Sequence, residues 1–117
     1  MRMLIGALGV ALLAGCVSPA MNEARNQEPT RVLSSDKETA KVAECIKYTW
    51  QDEGAFGVDA SAYIDNDKSG RLTVYTRGAE SFVDLRPQGT GTALSYYAKQ
   101  PNDSAALRRL AMVATCL

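Results

Sequence analysis

Apolar residues first recur with a helical period in the region that follows residue 35. Val42, Ile46 and Trp50 stand four residues apart, which places them on one face of a helix. Ser35, with Glu38 three residues later, has the spacing of a capping box, in which each side chain accepts a hydrogen bond from the other residue's backbone N–H. The pattern therefore predicts a helix that begins after Ser35 and ends shortly after Trp50, with Trp50 as a core anchor.

The period then changes to the two-residue alternation of strands. Short segments rich in Val, Tyr, Thr and Leu are separated by turn residues, a pattern typical of antiparallel strands joined by hairpins. The predicted strands are 60–64, 72–76, 81–85 and 92–98. Their alternation gives one apolar face for the helices. It leaves Tyr75, Phe82 and Tyr97 on the opposite face, either as a binding patch or as cross-strand aromatic pairs.

A second helix is predicted near the end of the chain. Residues 102–104 supply capping side chains, and Leu107, Leu110 and Ala114 form an apolar face. The adjacent residues Arg108 and Arg109 are expected on the solvated side of this helix. Helix, four strands and helix together predict an α+β fold of two layers, in which both helices cover one face of an antiparallel sheet.

The region before these elements has no hydrophobic period. Residues 16–34 include Pro19, Pro29 and several amide side chains, with few large apolar residues. Such a composition cannot bury enough surface to offset the entropy lost on ordering. We therefore expect 16–34 to be a flexible tether and 35–117 to be a single small folded domain.

The N-terminus has the organisation of a bacterial export signal. Arg2 precedes an apolar run over 4–11, and the run closes with Leu13-Ala14-Gly15-Cys16. This ending resembles the lipobox of bacterial lipoproteins. A transmembrane helix would need about 20 apolar residues, whereas only fifteen separate the charged start from Ser18. The sequence therefore predicts a signal peptide over 1–15.

The resemblance implies a lipid anchor at Cys16. In that family, the cysteine sulfur receives a diacylglyceryl group, signal peptidase II cuts between Gly15 and Cys16, and the new amine is acylated, with palmitate as a typical chain. The absence of Asp after the lipidated cysteine, where Val17 stands, fits sorting to the outer membrane rather than the inner one, with the domain facing the periplasm. The bilayer is thus the first expected partner.

Composition narrows the remaining functions. Thirteen Lys and Arg residues balance thirteen Asp and Glu residues, so no strongly basic face is available for nucleic acid. Histidine is absent, which excludes Ser-His-Asp and Cys-His catalysis and nearly all zinc sites. We expect a non-enzymatic lipoprotein without a cofactor, which binds a protein or cell-wall component or supports an assembly in the envelope.

The two cysteines that follow Cys16 form an even pair. Cys45 and Cys116 flank the apolar faces of the two predicted helices, and the periplasm oxidises thiols. We expect a disulfide between them. The alternative is two separate buried thiols that behave as small hydrophobic residues.

One turn carries a motif with metal-binding chemistry. Asp65, Asp67 and Ser69, followed by Gly70, resemble the start of a calcium-binding EF-hand loop, whose oxygen ligands alternate in this way. The twelfth position of the loop is Thr76 instead of the bidentate glutamate, and the same residue types are those that any hairpin turn requires. An ordinary turn is therefore favoured, and a calcium-stabilised binding module that uses loop 65–70 is the alternative.

Carboxylate catalysis is a second alternative. A small envelope hydrolase would need two carboxylates held at different pKa values as acid and base. The acidic residues are instead scattered over predicted loops and strand faces. The candidates are Asp52, Glu53, Asp65, Asp67, Asp84 and Asp103.

Overall fold

The computed structural model describes residues 17–53 and 60–117. The predicted signal peptide 1–15 and the predicted lipidation site Cys16 lie outside the described residues. The helices are α1 (Val17–Arg25), α2 (Thr39–Asp52) and α3 (Ser104–Thr115). The strands are β1 (Arg31–Ser35), β2 (Tyr63–Asn66), β3 (Leu72–Tyr75), β4 (Ser81–Gln88) and β5 (Gly91–Ala98).

These elements confirm the predicted α+β fold. All strands pair antiparallel in the order β1-β5-β4-β3-β2, so four of them form a meander and β1 is added at its far edge. Both α2 and α3 cover one face of the sheet, as the pattern predicted. Within the part of the chain that the structure describes, no helix has the length and apolar character needed to cross a bilayer.

The main core lies between the sheet and these two helices. Trp50 is only 2 % exposed, and its indole Nε1–H donates to the carbonyl oxygen of Arg109 at 3.1 Å. The hydroxyl of buried Tyr96 donates to the carbonyl oxygen of Ala106 at 2.7 Å. Buried apolar side chains surround them: Val42, Ala43, Ile46, Val74, Val83, Leu85, Leu94 and Val113. Burying each of the larger side chains in this list contributes about 1.5–3 kcal/mol to the stability of the fold. Trp50 is the core anchor that its spacing predicted.

The sheet has five strands where the sequence predicted four, and the extra strand lies in the segment expected to be a tether. In β1, Leu33 pairs with Leu94 of β5 and packs against the core. Val32 points away and is 68 % exposed. The end of β1 lies so close to the start of β5 that a Cβ atom on Gly91 would collide with the carbonyl oxygen of Ser35. Backbone pairing with β5, which needs no periodic sequence, orders this segment.

The same segment also forms α1, which covers part of the second face of the sheet. Met21 of α1 packs on Ala79 and Phe82 and is 3 % exposed. Phe82 stacks on Tyr97 with ring centroids 4.6 Å apart. The sequence placed Phe82 on an open outer face, whereas α1 buries it to 2 % exposure. The aromatic residues of this face therefore serve partly as a second, smaller core.

The helix starts were predicted with mixed accuracy. The backbone of α2 begins at Thr39, and its N-cap Glu38 makes no side-chain capping bond. Ser35 ends β1 instead, where its hydroxyl accepts from the Lys37 N–H at 3.0 Å and donates to the Leu117 carbonyl oxygen at 3.1 Å. The capping box at Ser35 is thus wrong. Asp103 caps α3 as expected, since its carboxylate accepts from the Ala105 N–H at 2.9 Å.

Candidate functional site

The structure confirms the predicted disulfide. Cys45 of α2 and Cys116, the residue that follows α3, are joined, and their Cα atoms are 5.7 Å apart. Cys116 is 1 % exposed and belongs to the main core. The bond therefore connects the two helices on the covered face of the sheet and encloses most of the domain in one loop.

The loop that resembles an EF-hand start is a hairpin turn between β2 and β3. One carboxylate oxygen of Asp67 accepts from the Ser69 N–H at 2.8 Å, from the Ser69 hydroxyl at 2.7 Å and from the Arg71 N–H at 3.2 Å. Its other oxygen lies 3.2 Å from the Arg71 guanidinium. Gly70 supplies the positive φ of 92° that closes the turn.

These bonds also favour the ionised form of the Asp67 carboxylate. The Ser69 hydroxyl, helped by the Ser69 and Arg71 amides and the Arg71 charge, lowers the pKa of Asp67. Asp65 lies within β2, opposite Thr73 of β3, and not in the turn itself. Among residues 17–53 and 60–117, no group of three or more Cys, Asp and Glu side chains is arranged to hold a metal ion. Asp67 and Ser69 therefore stabilise the backbone of the turn.

This turn gives a first prediction. Replacing Asp67 by alanine removes three bonds to the turn backbone and hydroxyl, so we expect a small drop in melting temperature, of a few degrees at most for an exposed turn. Calcium should leave the melting temperature of both proteins unchanged, because a ligand raises it only by binding the native state. Differential scanning calorimetry with and without calcium measures both. Asp65→Ala is the matched control, and a calcium-dependent rise that Asp67→Ala abolishes would contradict the turn interpretation.

A second cluster joins α1 to the outer face of the sheet, and sequence reasoning missed it. Asp84 of β4 is 8 % exposed. Its two carboxylate oxygens each lie 2.7 Å from the guanidinium of Arg25, one bonded to Nε–H and one to an NH2 group. The Thr73 hydroxyl donates to the same carboxylate at 2.7 Å. This is the bidentate geometry in which arginine and carboxylate bind most strongly.

The surroundings of Asp84 are rich in arginine. The bond to Asp84 raises the pKa of Arg25 above its usual value against the opposing effect of burial. Arg71 places Nε 3.8 Å from the Asp84 carboxylate, and this buried nitrogen has no hydrogen-bond partner. Arg86 and Tyr97 complete a shallow cavity of about 260 Å³ beside the cluster. The arrangement gives the Asp84 carboxylate three hydrogen bonds and fixes α1 to the sheet.

Two further acidic candidates, Glu53 and Asp103, also have local partners. Glu53 accepts from the Arg108 guanidinium at 3.3 Å, and Asp103 caps α3. Asp67 belongs to the β2–β3 turn and Asp84 to the α1 contact. The structure thus spreads the carboxylates over separate elements, as the sequence indicated, and gives each of these four a structural contact.

Arg109 corrects one further expectation. The sequence placed it with Arg108 on the solvated side of α3, but Arg109 is only 8 % exposed. It follows Ala106 by three residues and precedes Val113 by four, and both of these are buried. That spacing was the available signal, because it puts Arg109 on the inner stripe of the helix.

The chain was compared with models of protein families, with curated proteins and with solved structures, and none of them matches it.

Proposed function

We propose that the chain is an envelope lipoprotein anchored through acylated Cys16, with residues 1–15 removed as a signal peptide. The observation that carries this proposal is the disulfide between Cys45 and Cys116. Disulfides persist in exported proteins and are rare where thiols are kept reduced. Such a bond agrees with the export that the lipobox-like Leu13-Ala14-Gly15-Cys16 implies. The outer membrane, with the domain facing the periplasm, is the proposed location.

The domain acts by binding or by supporting an assembly, not by catalysis. The partners of Asp67, Asp84 and Asp103 support this role, because each carboxylate already accepts hydrogen bonds that shape the fold. Aromatic surface is available for a partner at the β2 edge. Tyr63 is 45 % exposed there and packs against Tyr75 with ring centroids 5.4 Å apart. Tyrosine is enriched in binding surfaces because one ring offers both apolar and polar contact.

Replacing Cys16 by serine tests the anchor. A serine hydroxyl cannot form the thioether, so we expect the variant to accumulate as a slower-migrating precursor and to lose incorporation of labelled palmitate completely. Gel mobility, membrane fractionation and mass spectrometry of the N-terminus measure this in intact cells. The matched control replaces Cys45 and Cys116 by serine, which should leave the lipid on Cys16. Mature protein of Cys16→Ser that is free of the membrane would overturn the proposal.

A further inference from the structure

Arg109 is a buried cation that the fold holds in position from two sides. Its backbone carbonyl accepts from the Trp50 indole at 3.1 Å. Its guanidinium donates to the hydroxyl of Ser81 at 3.1 Å, and Ser81 is completely buried at the start of β4. The Trp50 bond holds the backbone of α3, whereas the Ser81 bond and the burial of the side chain restrict the rotamers that Arg109 can adopt.

The charge of Arg109 has no acidic partner in the described part of the chain. The ion pairs found there, within 4.0 Å, involve Arg25, Arg71 and Arg108 instead. A guanidinium carries five N–H donors, and within residues 17–53 and 60–117 the guanidinium of Arg109 makes one bond to a protein acceptor, the Ser81 hydroxyl. Its other nitrogens are not among the buried side-chain atoms of these residues that lack a partner, so they reach solvent. The remaining donors are thus available to a group from outside the fold.

Those donors adjoin a cavity. The cavity has a volume of about 170 Å³ and lies between the start of β4, the end of β5 and the first turn of α3. Ser81, Ala106 and Arg109 are its buried residues, whereas Glu80, Lys99 and Asp103 are exposed around it. A group that enters the cavity therefore meets the Arg109 guanidinium at its base and residues of both charges at its opening.

We propose that this cavity binds the carboxylate group of a small, singly charged ligand, with Arg109 as the residue that recognises it. The planar fork of a guanidinium matches a carboxylate through two parallel hydrogen bonds. Phosphate offers similar oxygens but carries more charge, and Glu80 and Asp103 repel a dianion more strongly than a monoanion. A volume of about 170 Å³ accommodates a compact carboxylate-bearing group. This inference rests on the proposed binding function and names small monocarboxylates as the ligand class.

The test titrates sodium acetate into the protein purified as the cell makes it, in neutral detergent. Amide shifts of Ser81 and Ala106 in NMR spectra report binding at the cavity. We expect saturable shifts that sodium chloride at equal ionic strength does not reproduce, and weaker binding of inorganic phosphate. Arg109→Lys keeps the charge but loses the fork, so the affinity should fall about 10-fold, which corresponds to one charge-assisted hydrogen bond.

Two further variants keep the test decisive if Arg109→Lys unfolds. Lys99→Met removes an exposed cation at the mouth and should weaken acetate binding by about threefold. Arg86→Met, an exposed arginine on the outer face, should leave it unchanged. Absence of saturation up to about 100 mM acetate, equal shifts with chloride, or tighter binding of phosphate would each overturn the proposal. None of these outcomes depends on whether Cys16 carries a lipid, which the Cys16→Ser experiment decides separately.

Discussion

Replacing both Cys45 and Cys116 by alanine is expected to lower the free energy of unfolding by about 4 kcal/mol. The bond joins residues 71 apart in sequence, and a cross-link of that span removes a large part of the conformational entropy of the unfolded chain. A domain of this size has only about 5–15 kcal/mol of stability in total. Urea unfolding followed by the fluorescence of Trp50, which is the single tryptophan of the chain, measures the change.

Reduction of the unaltered protein is the control for this result. It breaks the bond without removing side-chain atoms, so the reduced protein should unfold at a lower urea concentration than the oxidised protein. The double alanine variant should unfold at a somewhat lower concentration again, because it also lacks the buried sulfur of Cys116. The double serine variant places a hydroxyl at the buried position of Cys116. Comparing its unfolding with that of the alanine variant separates the cost of a buried polar group from the loss of the cross-link. An unchanged unfolding midpoint after reduction would show that the cross-link contributes little to stability, contrary to the prediction.

Asp84→Ala is expected to destabilise the protein by about 2–3 kcal/mol and to release α1 from the sheet. The change leaves the side chains of Arg25 and Thr73 without their shared acceptor. Removing one partner of a buried ion pair costs about 3–5 kcal/mol. Partial exposure of Arg25, whose side chain is 15 % accessible, reduces that figure.

Hydrogen exchange distinguishes this local effect from general destabilisation. In Asp84→Ala, the amides of α1 should exchange much faster, whereas those of α2 should follow the global unfolding free energy. Arg25→Ala should reproduce the loss, and the double variant should be less destabilised than the sum of the two, because the residues interact directly. Asp65→Ala, an exposed aspartate of the same sheet face, is the matched control. Unchanged protection of α1 in Asp84→Ala would show that Met21 alone holds the helix.

The elements with strong local patterns were predictable from the sequence. Val42, Ile46 and Trp50 repeat at helical spacing and form the buried face of α2. The alternation in β4 and β5 is equally clear, because Val83 and Leu94 line the core while their neighbours face outward. The disulfide followed from the number and placement of the cysteines. For α2, β4 and β5, the information lies within a few residues of the element itself, whereas the disulfide follows from the cysteines of the whole chain.

The elements that depend on distant contacts were not predictable. The strand β1 is ordered by backbone bonds to β5, about sixty residues later, and its two apolar residues, Val32 and Leu33, are adjacent, so the sequence shows no alternation of apolar and polar residues. Helix α1 depends on Met21 in the second core and on Arg25, whose partner Asp84 is 59 residues away. Low hydrophobicity indicates disorder only when no other part of the chain supplies the missing contacts. Here the outer face of the sheet supplies them.

The packing of α1 limits the distance between a lipid anchor and the folded domain. A flexible coil of about 18 residues would let the domain lie roughly 20–25 Å from its anchor. Val17 instead begins a nine-residue helix, only about 14 Å long, that is fixed to the sheet. With the lipid proposed for Cys16, the domain would move with its anchor in the plane of the bilayer, and a partner would have to come to that plane. Encounters would then depend on lateral diffusion and on the orientation that α1 imposes on the domain.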